Sequence, residues 1–70
     1  MESFGEKLKR IRLDKGLGVR QLETMAGIPH GVVSRLERTS RAYPSIPAAR
    51  KLAKVLGVTL DLLCGMYDRD

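Results

Sequence analysis

Residues 18–38 read GVRQLETMAGIPHGVVSRLER, and two short helical patterns meet within them at a single glycine. Val19 to Ala26 reads as one helix and Pro29 to Arg38 as the next, so Gly27 falls where the chain turns sharply and a residue tolerant of positive φ is favoured. Two helices joined by a short glycine turn make a helix-turn-helix unit. Leu22, Met25, Ile28, Val33 and Leu36 are spaced to bury one face of each helix in a common core. The second helix then turns His30, Gly31, Ser34 and Arg35 outward. Two readings of this spacing stand side by side: a hairpin that only builds a core, and a hairpin that offers its polar face to a ligand. The flanking sequence has to separate them.

The chain has 70 residues, enough for one domain (1–70) near the lower limit at which a single core suffices without metals or several disulfides. Its one cysteine, Cys64, has no internal partner and no ligand cluster around it, which points away from an oxidising compartment and a zinc site. Following Leu60 and Leu63, it reads as a small buried apolar residue. No apolar run approaches the length of a bilayer span, and no apolar signal core follows Met1, so the expectation is a cytoplasmic protein with no membrane partner. The net charge is +5 and unevenly spread. Residues 1–54 carry twelve Lys/Arg against five Asp/Glu, whereas residues 55–70 carry one Arg against three Asp. Such asymmetry suits a polyanion, because neutralising phosphates releases counterions and supplies sequence-independent affinity. A solubilising role accounts for a charge of this size as well.

Taken in order, Ser3 and Glu6 fit a capping box that opens the first helix. Phe4, Leu8 and Ile11 mark its apolar face, and Lys15-Gly16 closes it. Arg12 lies close to that face, an awkward place for a cation unless a carboxylate meets it. Glu37 is the candidate partner; two separately solvated charges are the alternative. Gly18 is a weak cap for the second helix, whose first turn holds Arg20 and Gln21 beside amides able to meet a phosphate oxygen. Pro29 suits the first turn of the third helix, and Gly31 weakens that turn while permitting close backbone approach. Residues 39–44, TSRAYP, have turn composition. Ser45 caps a fourth helix with Ile46, Ala49, Leu52, Ala53 and Leu56 inward, and Gly57 ends it. Thr59 caps a fifth, with Leu60 and Leu63 inward. Leu62, Met66 and Tyr67 are left over, as a self-association patch or as loosely packed C-terminal residues.

The segments KLKRIRLDKGL at 7–17, QLETMAGI at 21–28, VVSRLER at 32–38, YPSI at 43–46 and LAKVLGVTLDLL at 52–63 together resemble the phage-repressor and Cro-like family of helix-turn-helix regulators, the xenobiotic-response-element type. No single segment is specific, but the ordered set is, and it spans nearly the whole chain. The resemblance implies an all-α, lambda-repressor-like fold of five helices whose third helix enters the DNA major groove. It places His30, Gly31 and Arg35 where family members touch base edges, with Ser34 beside them as a further base-reading candidate. It also matches Arg38, Thr39, Ser40 and Arg41 to the loop that grips backbone phosphates, alongside the Arg20 and Gln21 candidates read above. Arg12 and Glu37 match an ion pair between the first and third helices. Three residues depart from the pattern: Val19 replaces a glutamine, Glu23 a small residue, and Gly31 a residue with a side chain.

The function expected from these residues is sequence-specific binding of double-stranded DNA as a homodimer on an inverted repeat, with transcriptional repression as the usual family outcome. The alternative is a protein-interaction module, an antitoxin or adaptor gripping its partner through Leu62, Met66 and Tyr67. No enzyme is expected, since paired carboxylates, a metal cluster and a phosphate loop are all missing and the lone histidine has no evident nucleophile partner. No cofactor, metal or small-molecule ligand is implied.

Overall fold

The computed structural model describes residues 2–39 and 42–63. Helix α1 covers Phe4–Asp14 and begins at the expected cap. The Glu6 amide donates to Ser3 Oγ at 3.1 Å while the Ser3 amide donates to Glu6 Oε1 at 2.9 Å. That box sets the phase of the helix, so Phe4, Leu8 and Ile11 share the buried face. Upstream, Glu2 folds back along α1 and accepts from Arg10 Nε and Nη2 at 2.9 and 3.1 Å. The bond from Arg10 holds the Glu2 carboxyl below the usual carboxylate range.

Helices α2 (Val19–Ala26), α3 (Val32–Arg38), α4 (Ile46–Leu56) and α5 (Leu60–Leu63) follow. Gly27 ends α2 at φ 70° and makes the turn toward α3. Ser45 Oγ caps α4 by accepting from the Ala48 amide at 3.3 Å, with Pro47 tolerated in the first turn. Thr59 Oγ1 caps α5 by accepting from the Leu62 amide at 3.0 Å. Helix α1 packs on α3 and α5, α2 on α3 and α4, and α4 on α5. The core they enclose draws on all five: Phe4, Leu8, Leu22, Val33, Leu36, Leu52, Leu56 and Leu63 are fully or almost fully buried. The first and last of these helices are also joined by Lys7 Nζ, which donates to the Leu62 carbonyl at 3.0 Å.

Three expectations are corrected. Met25 is 56% exposed, because the buried stripe of α2 runs through Leu22, Glu23 and Ala26, and Met25 lies on the opposite flank from Glu23, turned away from the core. Ile46 is 57% exposed, because the buried stripe of α4 starts only at Ala49, one turn into the helix. The third helix begins at Val32 rather than Pro29, for a reason given below. Cys64, Met66 and Tyr67 lie outside the described residues, as do Ser40 and Arg41.

Where α1 crosses α3 the spacing is set by Gly5. A Cβ at this position would overlap the carbonyl oxygen of Leu36 and lie 3.0 Å from the Cα of Glu37. The glycine therefore allows the two helices to meet backbone to side chain-free backbone, and α3 is seated directly on the start of α1.

Candidate nucleic-acid interface

Helix α3 has seven residues, and each end of it is fixed by a carboxylate. The first amides of any helix lack partners within it, and the residue before the helix ordinarily supplies a side-chain acceptor. Here that residue is Gly31, which has none to offer. Glu23 supplies it from α2 instead. Its Oε2 accepts from the amides of Gly31 and Val33, both at 2.9 Å, and the residue is only 2% exposed. The negative charge thus sits at the positive end of the α3 dipole and makes two charge-assisted bonds. Gly31 adopts φ 97°, a left-handed conformation incompatible with a helix interior. This is why the helix does not start at Pro29; His30 and Gly31 form a turn ahead of it instead.

Removing that acceptor takes away two hydrogen bonds to a charged group, from the amides of Gly31 and Val33, so Glu23→Ala is expected to lower stability by about 1–3 kcal/mol. Glu23→Gln keeps an acceptor oxygen and is expected to lose less. Urea unfolding followed by helical circular dichroism measures both, and an alanine variant as stable as the parent would show that the cap contributes nothing.

At the other end, Arg12 and Glu37 form the ion pair that the sequence left open. Arg12 Nε donates to Glu37 Oε2 at 2.7 Å and Nη2 donates to Oε1 at 2.9 Å, a planar two-pronged match. Nη1 is used as well, donating to the Leu17 carbonyl at 2.8 Å. One buried guanidinium, 6% exposed, thereby joins α1, α3 and the turn that leads into α2. The hydrogen bond to Glu37 holds Arg12 above its ordinary range despite burial, so the group stays charged.

Between these anchors the outward residues are laid out as follows. His30 and Gly31 are exposed on the turn ahead of α3. Ser34 is half-buried beside Val33, whereas Arg35 and Arg38, three residues apart on one face, are exposed. Thr39 follows directly and is exposed, the last described residue before position 42. On α2, Arg20 and Gln21 are exposed in the first turn, and Gln21 Oε1 accepts from the Gly18 amide at 3.3 Å. Among the described residues the ion pairs are Glu2–Arg10 and Arg12–Glu37, so Arg20, Arg35 and Arg38 turn uncompensated charge to solvent. Leu62 is exposed on α5.

Two structural determinants escaped the sequence reading. Glu23 stands out in the sequence as a departure from the family pattern, and the signal of its role is a carboxylate inside an apolar stripe, eight residues before a glycine unable to cap. Gly5, a glycine in a first helical turn, was the other. Among the described residues no group of His, Cys, Asp or Glu is placed to hold a metal ion, and no helix is long and apolar enough to cross a membrane.

Comparison with known proteins agrees with this geometry. Residues 8–63 match the family model described as helix-turn-helix. The chain is 40% identical over 58 residues to the HTH-type transcriptional repressor RghR of Bacillus subtilis (strain 168), covering 83% of this chain and 43% of that protein. It is 31% identical over 65 residues to the HTH-type transcriptional regulator SinR of Bacillus licheniformis, covering 93% of this chain and 59% of that one. Against the HTH-type transcriptional regulator PuuR of Escherichia coli (strain K12) the identity is 34% over 56 residues, covering 80% of this chain and 30% of the relative. The chain therefore spans less than two thirds of each of these relatives. No solved structure gives a significant match. A family match that runs from Leu8 in α1 to Leu63 in α5 takes in both helices of the 19–38 unit and the ion pair behind it, and the chain belongs to the helix-turn-helix family.

Proposed function

We propose that residues 1–70 act as the DNA-binding unit of a cytoplasmic transcriptional regulator, a repressor in outcome, that places α3 in the major groove of a specific double-stranded operator. The observation that carries this reading is the pair of exposed, uncompensated arginines, Arg35 and Arg38, on a short helix anchored at both ends by buried carboxylates. The names of the relatives, a repressor and two regulators of transcription, support it.

Arg35 reads a base, because a guanidinium matches guanine O6 and N7 in bidentate fashion and discriminates by about 1–3 kcal/mol. His30 and Ser34 add donors or acceptors beside it, with the histidine's role set by its tautomer. Gly31 lets the backbone come close to the groove floor. Arg20, the carboxamide nitrogen of Gln21 and the 38–41 segment hold phosphates and fix orientation without carrying sequence information. One such unit covers too few base pairs to be selective. A homodimer on an inverted repeat, with half-sites about 34 Å apart, meets that need. Exposed Leu62, with Met66 and Tyr67, is the candidate contact between copies.

The test is binding to an operator selected from a random duplex pool, and to unrelated duplex, across a salt series. Affinity is expected to fall steeply with salt, and the selected sites are expected to be symmetric. Arg35→Ala should erase preference at one base position, whereas Arg38→Ala should weaken all sequences alike and flatten the salt slope by about one. Salt-independent binding, or an equal loss on every sequence for Arg35→Ala, would sink the reading. A chain that stays assembled with a protein partner and ignores DNA in gel filtration would favour the adaptor alternative.

A further inference from the structure

We infer that Glu23 determines DNA specificity without touching DNA, by choosing the register in which the reading helix begins. This rests on the DNA-reading function proposed above.

Two starts are open to the chain. Pro29 has the fixed φ and missing donor of a first helical residue, so a helix from Pro29 through Arg38 satisfies local chemistry. In that register His30 and Ser34 stand four apart on one helix face and read together. The register actually adopted starts at Val32, leaving Pro29, His30 and Gly31 outside the helix, with His30 taken off that face. The helix is shortened by three residues, about 4.5 Å of its axis.

What selects the second start is the convergence of two amides on one oxygen. The Gly31 and Val33 amides both donate to Glu23 Oε2 at 2.9 Å. Inside a continuous right-handed helix the amides of residues 31 and 33 would each be directed along the axis at the carbonyl four residues back. A left-handed residue followed by a right-handed one turns them inward into a concavity that holds an anion. Gly31, at φ 97°, is the left-handed member, and Val32 opens the helix. The anion filling the concavity is the protein's own carboxylate, buried and delivered by α2. Glu23 is thus a positioning residue: it acts through the backbone of residues 31–33 on the side chains that meet the bases.

The experiment has an arm without DNA and an arm with it. In the free protein, Cα chemical shifts of residues 29–32 report the register. Glu23→Ala is expected to move them to helical values, and Glu23→Gln to leave them where they are. In the second arm, base preferences are read by selection from a random duplex pool. Glu23→Ala is expected to lose about tenfold discrimination at the positions read from the turn, a change of the size one good base contact supplies. Its preference at the Arg35 position and its salt slope should persist, whereas a merely destabilised protein would lose affinity on all sequences alike. Should Glu23→Ala not fold, Gly31→Ala decides by the chemical-shift arm, because its methyl meets nothing within 4 Å and it acts only by disfavouring the left-handed φ. Parent-like shifts at 29–32 in a folded variant overturn the inference, and so do moved shifts with unchanged base preferences. If the parent itself prefers no sequence, the DNA-reading proposal fails and the shift arm alone judges the register.

Discussion

Arg12→Ala is expected to lower the folding free energy by about 3–5 kcal/mol, because it leaves the Glu37 carboxylate buried with no cation to meet it. The Leu17 carbonyl loses its donor from Nη1 in the same step. A domain of this length has roughly 4–10 kcal/mol of stability in total, so the single variant should lose a third or more of it and unfold at a much lower urea concentration. The pair itself is worth far less than that loss suggests, since desolvating two charges offsets most of their attraction. The double variant Arg12→Leu/Glu37→Leu is therefore expected to recover most of the stability, and a double-mutant cycle in urea measures the coupling. If Arg12→Ala unfolds at the parent's urea midpoint, the two groups are acting as solvated charges and the buried-clamp account is wrong.

Gly5→Ala is the second large effect, and here two physical terms oppose each other. Alanine favours a helix interior over glycine by up to about 1 kcal/mol, so helix propensity by itself calls the substitution stabilising. The new methyl, however, would overlap the Leu36 carbonyl oxygen. That atom is backbone, fixed inside α3, and cannot rotate aside as a side chain would. Helices α1 and α3 must part, and overpacking of this kind costs about 1–3 kcal/mol, with a backbone obstacle placing it at or above the upper end. The clash wins, and the net expectation is a loss of about 2 kcal/mol or more. Thermal unfolding gives the answer directly: a raised midpoint would mean that the close approach of the two helices is not needed.

These two residues also mark where sequence reading reached its limit. Caps were legible because they are local chemistry: Ser3 with Glu6, Ser45 and Thr59 each bond an amide three residues on, and the structure places every one of them as read. The outward face of α3 was legible as the complement of its stripe, since inward Val33 and Leu36 oblige Arg35 to point out. Arg12 and Glu37 were half legible. Burial of a cation signalled the need for a partner, but 25 residues separate the two and only the packing of α1 on α3 brings them together. Gly5 and Glu23 were not read, because each answers to a backbone supplied by another helix. Local chemistry favours a helix from Pro29, and a carboxylate on α2 overrides it. Met25 and Ile46 were misplaced for the related reason that a stripe read on one helix does not say where its neighbour ends.

The brevity of α3 carries a last consequence. A segment of seven residues is well below the roughly 12–15 at which an isolated helix is even marginal in water. Its order comes from the clamps and the packing behind it, so α3 cut out of the bundle would not hold its helical form. The duplex binding proposed for α3 should therefore be lost at the temperature at which the bundle unfolds.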